Sequence, residues 1–182
     1  MQRIYTTLLL SLFSGILFAQ QQSKVPTPRF TKQAIATTGC YAYLPEGVNW
    51  AEQTKSPDSS DIFQCSRTYE GGYELGLIFV HFSAPFNTLT QPELEDLLIS
   101  YSDYLKGSFN IKSAVGYGRG HRLAADTTVI GVIDYWEDKD KKQMSVQGWI
   151  NPEYLAFYYI LGPDNQADKF RSIFFNGLRL PD

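Results

Sequence analysis

The chain has 182 residues and a formal net charge of −3 at pH 7, from 16 basic and 19 acidic residues. It lacks the excess of Lys and Arg that binds a phosphate backbone, which argues against nucleic acid as a partner. The residues after position 19 are enough for one domain with a single hydrophobic core.

Met1–Ala19 is predicted to be a secretory signal peptide. Arg3 precedes an apolar run from Ile4 to Phe18, and the small Ala19 follows it. Polar residues interrupt this run of about fifteen residues, whereas a membrane-spanning helix needs about twenty, so cleavage is favoured over a membrane anchor. A lipid anchor would need a cysteine directly after the run, and the first is Cys40. The protein is therefore expected to be exported, periplasmic or extracellular, with no integral membrane segment after cleavage.

The segment that follows is polar and contains two prolines, so Gln20–Arg29 is predicted to be a flexible tether to a single domain over Phe30–Asp182. In Gly39–Pro45 the residues Cys40, Ala42 and Leu44 alternate with two tyrosines, and this two-residue period predicts a short strand. Glu46–Asp61 has no periodicity and predicts a long loop, a feature that is often functional or disordered. Within it, Trp50 is either a binding anchor or a lid folded back over the sheet.

Cys40 and Cys65 are an even pair, which in an oxidising compartment predicts a disulfide. The bridge would close the base of the long loop. Two buried free thiols are the alternative. Two cysteines with only His81 and His121 elsewhere do not have the spacing of a zinc site, and neither a metal nor a cofactor is predicted.

Two strands and a helix follow. Ile62–Glu70 and Tyr73–Ser83 are joined by two glycines and predict a hairpin, in which the second strand is apolar on both faces and therefore central. Thr90-Gln91-Pro92-Glu93 is typical of a capping box and predicts the start of a helix. Leucines at helical spacing continue this helix to Lys106, where Gly107 is expected to end it.

The rest of the chain predicts further strands and a closing helix. The predicted strands are Phe109–Tyr117, Thr127–Trp136, Gln143–Ile150 and Tyr154–Leu161. Short connections between the last three predict antiparallel neighbours. The helix is expected to be capped by Asn165, to pack through Phe170, Ile173 and Phe174, and to end at Asn176-Gly177.

This order of elements predicts an α+β fold, an antiparallel β-sheet of about six to seven strands flanked by helices. The element order, the entry segment Cys40-Tyr41-Ala42-Tyr43-Leu44-Pro45-Glu46-Gly47 and the closing helix Phe170–Leu178 resemble the PsbP-like superfamily over Phe30–Asp182. That superfamily includes the extrinsic photosystem II subunit and a Ran-binding nuclear import factor. The resemblance implies an α/β/α sandwich with binding or assembly roles, mostly non-enzymatic, and brings no functional residue that matches here.

The most unusual segment is Gly116–Arg122, where three glycines alternate with other residues beside Arg119, His121 and Arg122. Accessible backbone amides and local positive charge favour an anion site formed by these three basic residues. The alternative is a glycine-bearing strand end, bulge or turn with solvated side chains. The spacing differs from a dinucleotide-binding fingerprint.

His121 is also the best candidate for a general acid or base, with Asp126 or Asp134 as its acidic partner. His81 continues one face of a central strand and is expected to be a core or sheet-edge residue. Asp138 and Asp140 alternate with lysines and predict a solvated hairpin tip and not a calcium site.

These observations favour an exported, non-catalytic binding or accessory protein whose partner is another protein or a small polar or anionic ligand. The alternative is a secreted hydrolase-type enzyme that uses His121 with an acidic partner.

Overall fold

The computed structural model describes residues 27–70, 72–162 and 170–181. The predicted signal peptide, most of the predicted tether, Gly71 of the hairpin turn and Asn165, the expected helix cap, lie outside these residues. No helix within the described ranges is long and apolar enough to cross a membrane.

The described residues form eleven strands and two helices. In chain order these are β1 (Phe30–Ala34), β2 (Tyr41–Pro45), β3 (Asn49–Trp50), β4 (Thr54–Lys55), β5 (Asp61–Thr68), β6 (Glu74–His81), α1 (Gln91–Ser108), β7 (Ile111–Ala114), β8 (Gly118–Leu123), β9 (Asp126–Asp138), β10 (Gln143–Ile150), β11 (Tyr154–Leu161) and α2 (Arg171–Phe175).

The strands form an antiparallel nine-stranded sheet and a separate two-stranded sheet. The order in the large sheet is β3-β5-β6-β11-β10-β9-β7, with β4 on β5 and β8 on β9, while β1 pairs with β2. The predicted α+β class is confirmed. The large sheet has more strands than the expected six to seven because the predicted loop Glu46–Asp61 contributes β3 and β4, and because the stretch after α1 divides into β7 and β8.

The large sheet is buried on both faces, and β6 shows this most clearly. Leu75, Leu77 and Phe79 of β6 join the core that also contains β2 and α2. Ile78 and Val80 join the core beneath α1. The expectation that this strand is central is therefore confirmed, and the molecule has one core on each side of the sheet.

Helix α1 begins as the sequence predicts. The Thr90 backbone N–H donates to Glu93 Oε2 at 2.7 Å, and the Thr90 hydroxyl donates to the same oxygen at 2.6 Å. The expected end of the helix is wrong by a few residues, because Gly107 lies inside α1. The left-handed backbone that follows the helix is at Asn110, with φ of 54°.

The expected Cys40–Cys65 disulfide is not formed. Both residues are free and buried. Cys40 precedes β2 of the small sheet and Cys65 lies on β5 of the large sheet, so the two residues do not lie on neighbouring strands, as the expected bridge assumed. Burial raises the pKa of the Cys65 thiol to about 12 and also raises that of Cys40, which keeps both thiols protonated and weakly reactive at neutral pH.

Helix α2 also differs in part from its prediction. Phe170 and Phe174 are buried as expected, but Ile173 is 54% exposed and Phe175 is buried in its place. The Phe175 carbonyl accepts a hydrogen bond of 2.6 Å from Trp149 Nε1 of β10. Helix α2 is thus fixed to the centre of the sheet.

Stability is expected to fall between about pH 10 and pH 12. Burial raises the pKa of four tyrosines to about 12, and it also raises the pKa of Tyr158 and Tyr159. The four are Tyr73, Tyr101, Tyr117 and Tyr154. Because these tyrosines have a higher pKa in the folded state than in the unfolded state, they stabilise the fold fully at pH values below the unfolded pKa of about 10. That stabilisation is lost as the pH rises through the folded pKa. Urea unfolding midpoints from pH 8 to pH 12 test this, and a flat profile would contradict it.

Candidate functional site

The glycine-rich segment forms an irregular edge strand. Gly116 and Gly120 have positive φ angles of 111° and 79°. The register of β8 on β9 shifts between Gly118 and His121, which marks a bulge. The segment therefore has the strand-and-bulge geometry that the sequence analysis gave as the alternative to an anion site.

The basic side chains of β8 contact the first turns of α1. Arg119 Nη1 lies 2.9 Å from Asp96 Oδ1 and 3.2 Å from Glu95 Oε2. The Gly120 backbone N–H donates to Glu95 Oε1 at 2.8 Å, and Arg122 Nη2 donates to Gln91 Oε1 at 2.7 Å. The Asp96 carboxylate, with that of Glu95, raises the pKa of Arg119. An anion at this position would have to compete with both carboxylates.

Asp134 is a buried structural acceptor and does not lie beside His121. Its carboxylate accepts from the backbone N–H of Gly116 at 2.9 Å and from Trp136 Nε1 at 2.7 Å. Side chains alternate along β9, so Asp134 faces α1, whereas His121 pairs with Gly131 and faces α2. The structure therefore places these two residues on opposite faces of the sheet.

Asp126 is separated from His121 along the strand. It lies five residues from Gly131 on β9, a distance of about 16 Å at roughly 3.3 Å per residue. Its Oδ1 accepts from the Thr128 backbone and hydroxyl at 3.0 and 2.7 Å. The structure does not bring together the acid–base pair on which the hydrolase alternative depends.

His81 lies at the end of β6, beside a polar pocket that the sequence did not reveal. Its ring centroid is 5.0 Å from that of Tyr154. The pocket has a volume of about 500 Å³ and includes Lys55, Asp61 and Glu153. Lys55 Nζ donates to Asp61 Oδ1 at 2.7 Å, and this contact lowers the pKa of Asp61. Lys55 and Asp61 thus neutralise one another.

Trp50 belongs to β3 and is 39% exposed, so it does not fold away as a buried lid. Its cross-strand partner is Cys65. Its neighbours Asn49 and Ala51 line a groove of about 230 Å³ on the α1 face of the sheet. The predicted loop therefore contributes to a surface concavity through the residues that flank Trp50.

We call this concavity the α1 groove. Helix α1 packs against β7, β9 and β10 and leaves the outer strands β3 and β5 uncovered. The floor and walls of the groove include Gln64, Ser66, Ile78, Phe109 and Tyr159. All of its described lining residues are uncharged.

A second concavity, the α2 pocket, lies on the opposite face of the sheet. Its volume is about 290 Å³. Strands β9 and β10 form its floor and α2 forms its wall, with Ile133, Tyr135, Gln147, Arg171, Phe175 and Asn176 among the lining residues. His121 lies beside this pocket. Gly118 pairs with the lining residue Ile133, so both face the same side of the sheet, and His121 Nε2 would be 3.4 Å from a Cβ added at Gly118.

The described residues contain no cluster of three or more His, Cys, Asp or Glu side chains that could hold a metal ion. Sequence reasoning identified His121 but not Gln147 or Tyr135, since an alternating strand sequence does not reveal which helix covers each face. Tyr135 is 43% exposed, which could not be predicted without knowing where α2 lies on the sheet.

Comparisons with known proteins give a likeness of fold. No protein-family model matches this chain, and a search of curated proteins finds no match. Among solved structures, the chain is similar to the solution structure of cyanobacterial PsbP (CyanoP) from Synechocystis sp. PCC 6803. The identity is 11% and the TM-score 0.49, over 86% of this chain and 95% of that one. This match agrees with the PsbP-like resemblance found in the sequence and concerns the fold alone.

Proposed function

We infer that this chain is an exported, non-catalytic accessory protein that binds another protein through the α1 groove. The observation that carries the proposal is the composition of the groove, whose uncharged lining includes the aromatic residues Phe109 and Tyr159. The centres of protein–protein interfaces are depleted in charged residues and enriched in Tyr and Phe. Export rests on the signal peptide predicted for Met1–Ala19.

Helix α1 extends the same surface. Tyr104 is 72% exposed, and the centroid of its ring is 6.4 Å from that of Tyr101. Tyr101 lies two turns before Phe109 on the same side of the helix, and Phe109 lines the groove. An aromatic strip along α1 therefore continues into the uncovered half of the sheet.

The hydrolase alternative receives no support from the geometry. His121 and Asp134 face opposite sides of the sheet, and Asp126 accepts from Thr128 far along the strand. A general base requires its orienting partner within hydrogen-bonding distance.

The proposal predicts that a double variant, Gln64→Arg with Tyr104→Ala, loses the partner. Gln64 is exposed on the groove floor, so a charged side chain there would meet the apolar surface of the partner without compensation. Affinity capture from the envelope fraction should recover one protein with the native bait and at least tenfold less of it with the variant. Circular dichroism and the melting temperature check that both baits are folded.

Tyr135→Ala is the matched control, because Tyr135 is an exposed tyrosine on the opposite face. It should recover the same partner at the native level. Equal capture by the groove variant and the native bait, or loss with Tyr135→Ala alone, would refute the groove as the binding surface.

A further inference from the structure

The α2 pocket contains polar groups that neither the fold nor the proposed protein partner uses. It faces away from the α1 groove and lies beside His121. Its volume of about 290 Å³ is near the lower end of small-molecule sites, which begin at about 300 Å³. The pocket is thus of a size for a single small ring.

Gln147 is a polar residue on the floor of this pocket whose side chain is not used by the fold. It is 5% exposed, and its side chain has no hydrogen bond to any residue that the structure describes. It stands on the pocket floor between Ile133 and Tyr158, its cross-strand neighbours. Its amide atoms are not among the fully buried polar atoms without a partner, so they are reached from the pocket, where a ligand can both donate to the amide oxygen and accept from the NH₂ group.

Tyr135 provides an aromatic surface at the edge of the same pocket. It is 43% exposed, and the Arg171 guanidinium lies 5.8 Å from its ring centroid. Arg171 is itself held in place, since its Nη1 donates to Ser145 Oγ at 2.9 Å. The Tyr135 ring is therefore supported on one side and open to solvent on the other.

The remaining polar groups of the pocket can donate or accept further hydrogen bonds. Asn176 Nδ2 donates to the Ser172 carbonyl at 3.2 Å, which leaves Asn176 Oδ1 as an acceptor. His121 stands at the margin and offers a ring nitrogen. Donors and acceptors thus surround an aromatic and aliphatic wall formed by Ile133, Tyr135 and Phe175.

We propose that the α2 pocket binds a neutral, amide-bearing sugar, an N-acetylated hexosamine. The C–H face of the pyranose ring packs on Tyr135. The ring hydroxyls form hydrogen bonds with Asn176 Oδ1 and with a ring nitrogen of His121. The acetamido group pairs with the Gln147 side-chain amide. This pairing uses both the donor and the acceptor of the Gln147 amide and distinguishes the ligand from a plain hexose.

The test is a titration of the 15N-labelled full chain with N-acetylglucosamine, followed by NMR. Saturable shifts are expected at the Gln147 side-chain amide and the Tyr135 backbone amide, with none on the α1 face. Glucose, which lacks the acetamido group, should bind at least fivefold more weakly. The absence of saturable shifts at the α2 pocket would overturn the proposal, as would equal affinity for the two sugars.

Two variants separate binding from folding. Gln147→Leu has nearly the same volume and should weaken binding at least tenfold without lowering the melting temperature, because it breaks no hydrogen bond to another described residue. Tyr135→Ala should weaken binding by a similar factor, and Tyr104→Ala, an exposed tyrosine on the opposite face, should bind as the native chain does. Unchanged binding by Gln147→Leu together with a lower melting temperature would show a purely structural role and refute the site.

Discussion

Replacing Asp134 with alanine is expected to lower the free energy of unfolding by about 4 kcal/mol, the range for removing one partner of a buried charged network. The Asp134 side chain is fully buried, and its Oδ1 accepts from the backbone N–H groups of Gly116 and Tyr135 at 2.9 and 2.8 Å. Its Oδ2 accepts from Trp136 Nε1 at 2.7 Å and lies 3.6 Å from Lys106 Nζ. The substitution leaves these donors unsatisfied beside α1 and releases the segment that leads into β8. Urea unfolding measures the effect.

Asp140→Asn is the control for that prediction, because Asp140 is exposed at the tip of the β9–β10 hairpin. It should change the free energy of unfolding by less than about 0.5 kcal/mol. Asp134→Asn should fall between the two, since one amide oxygen still accepts from the backbone while its NH₂ group faces Trp136 Nε1. A loss below about 1 kcal/mol for Asp134→Ala would contradict the role of this carboxylate.

Local sequence signals predicted the elements that depend on neighbouring residues. The Thr90–Glu93 capping box marks the start of α1, and the two-residue periodicity before and after Gly72 marks the β5–β6 hairpin. The short strands β3 and β4 gave no such signal, because two residues are too few to show a period. They form because the segment before β5 lies along the otherwise unpaired edge of that strand and hydrogen-bonds to it.

The candidate site depended on contacts that are distant in sequence, and its interpretation changed accordingly. Arg119 was identified for its positive charge, but its two carboxylate partners lie more than twenty residues earlier, on α1. In the sequence, Gln147 is one residue of an ordinary strand, and only the structure shows that α2 forms a pocket above it. Charge and spacing predict the type of a side chain's partner, whereas only the packed structure shows whether the partner belongs to the same chain.

Gly131→Ala is expected to lower the free energy of unfolding by about 3 kcal/mol. A Cβ at this position would overlap the ring of Trp149, its cross-strand neighbour, and would stand 3.0 Å from the Gly148 carbonyl oxygen. Trp149 is 1% exposed and is held by its hydrogen bond to the Phe175 carbonyl, so its ring cannot move aside. Overpacking in a close-packed core costs about 1–3 kcal/mol, and loss of the hydrogen bond adds about 1 kcal/mol.

Gly107→Ala separates this steric effect from the general effect of a glycine substitution. Gly107 lies in α1 with no atom within 4 Å of the position of an added Cβ, so alanine there should stabilise the protein by about 0.5 kcal/mol. Urea unfolding of the two variants should therefore give changes of opposite sign. Because Trp149 joins β10 to α2, Gly131→Ala should also disturb the α2 pocket, which the NMR shift of the Trp149 indole N–H reports. If the Gly131→Ala protein were as stable as the native chain and the Trp149 signal did not move, the contact between β9, β10 and α2 would have room for an added methyl group, and the prediction would be wrong.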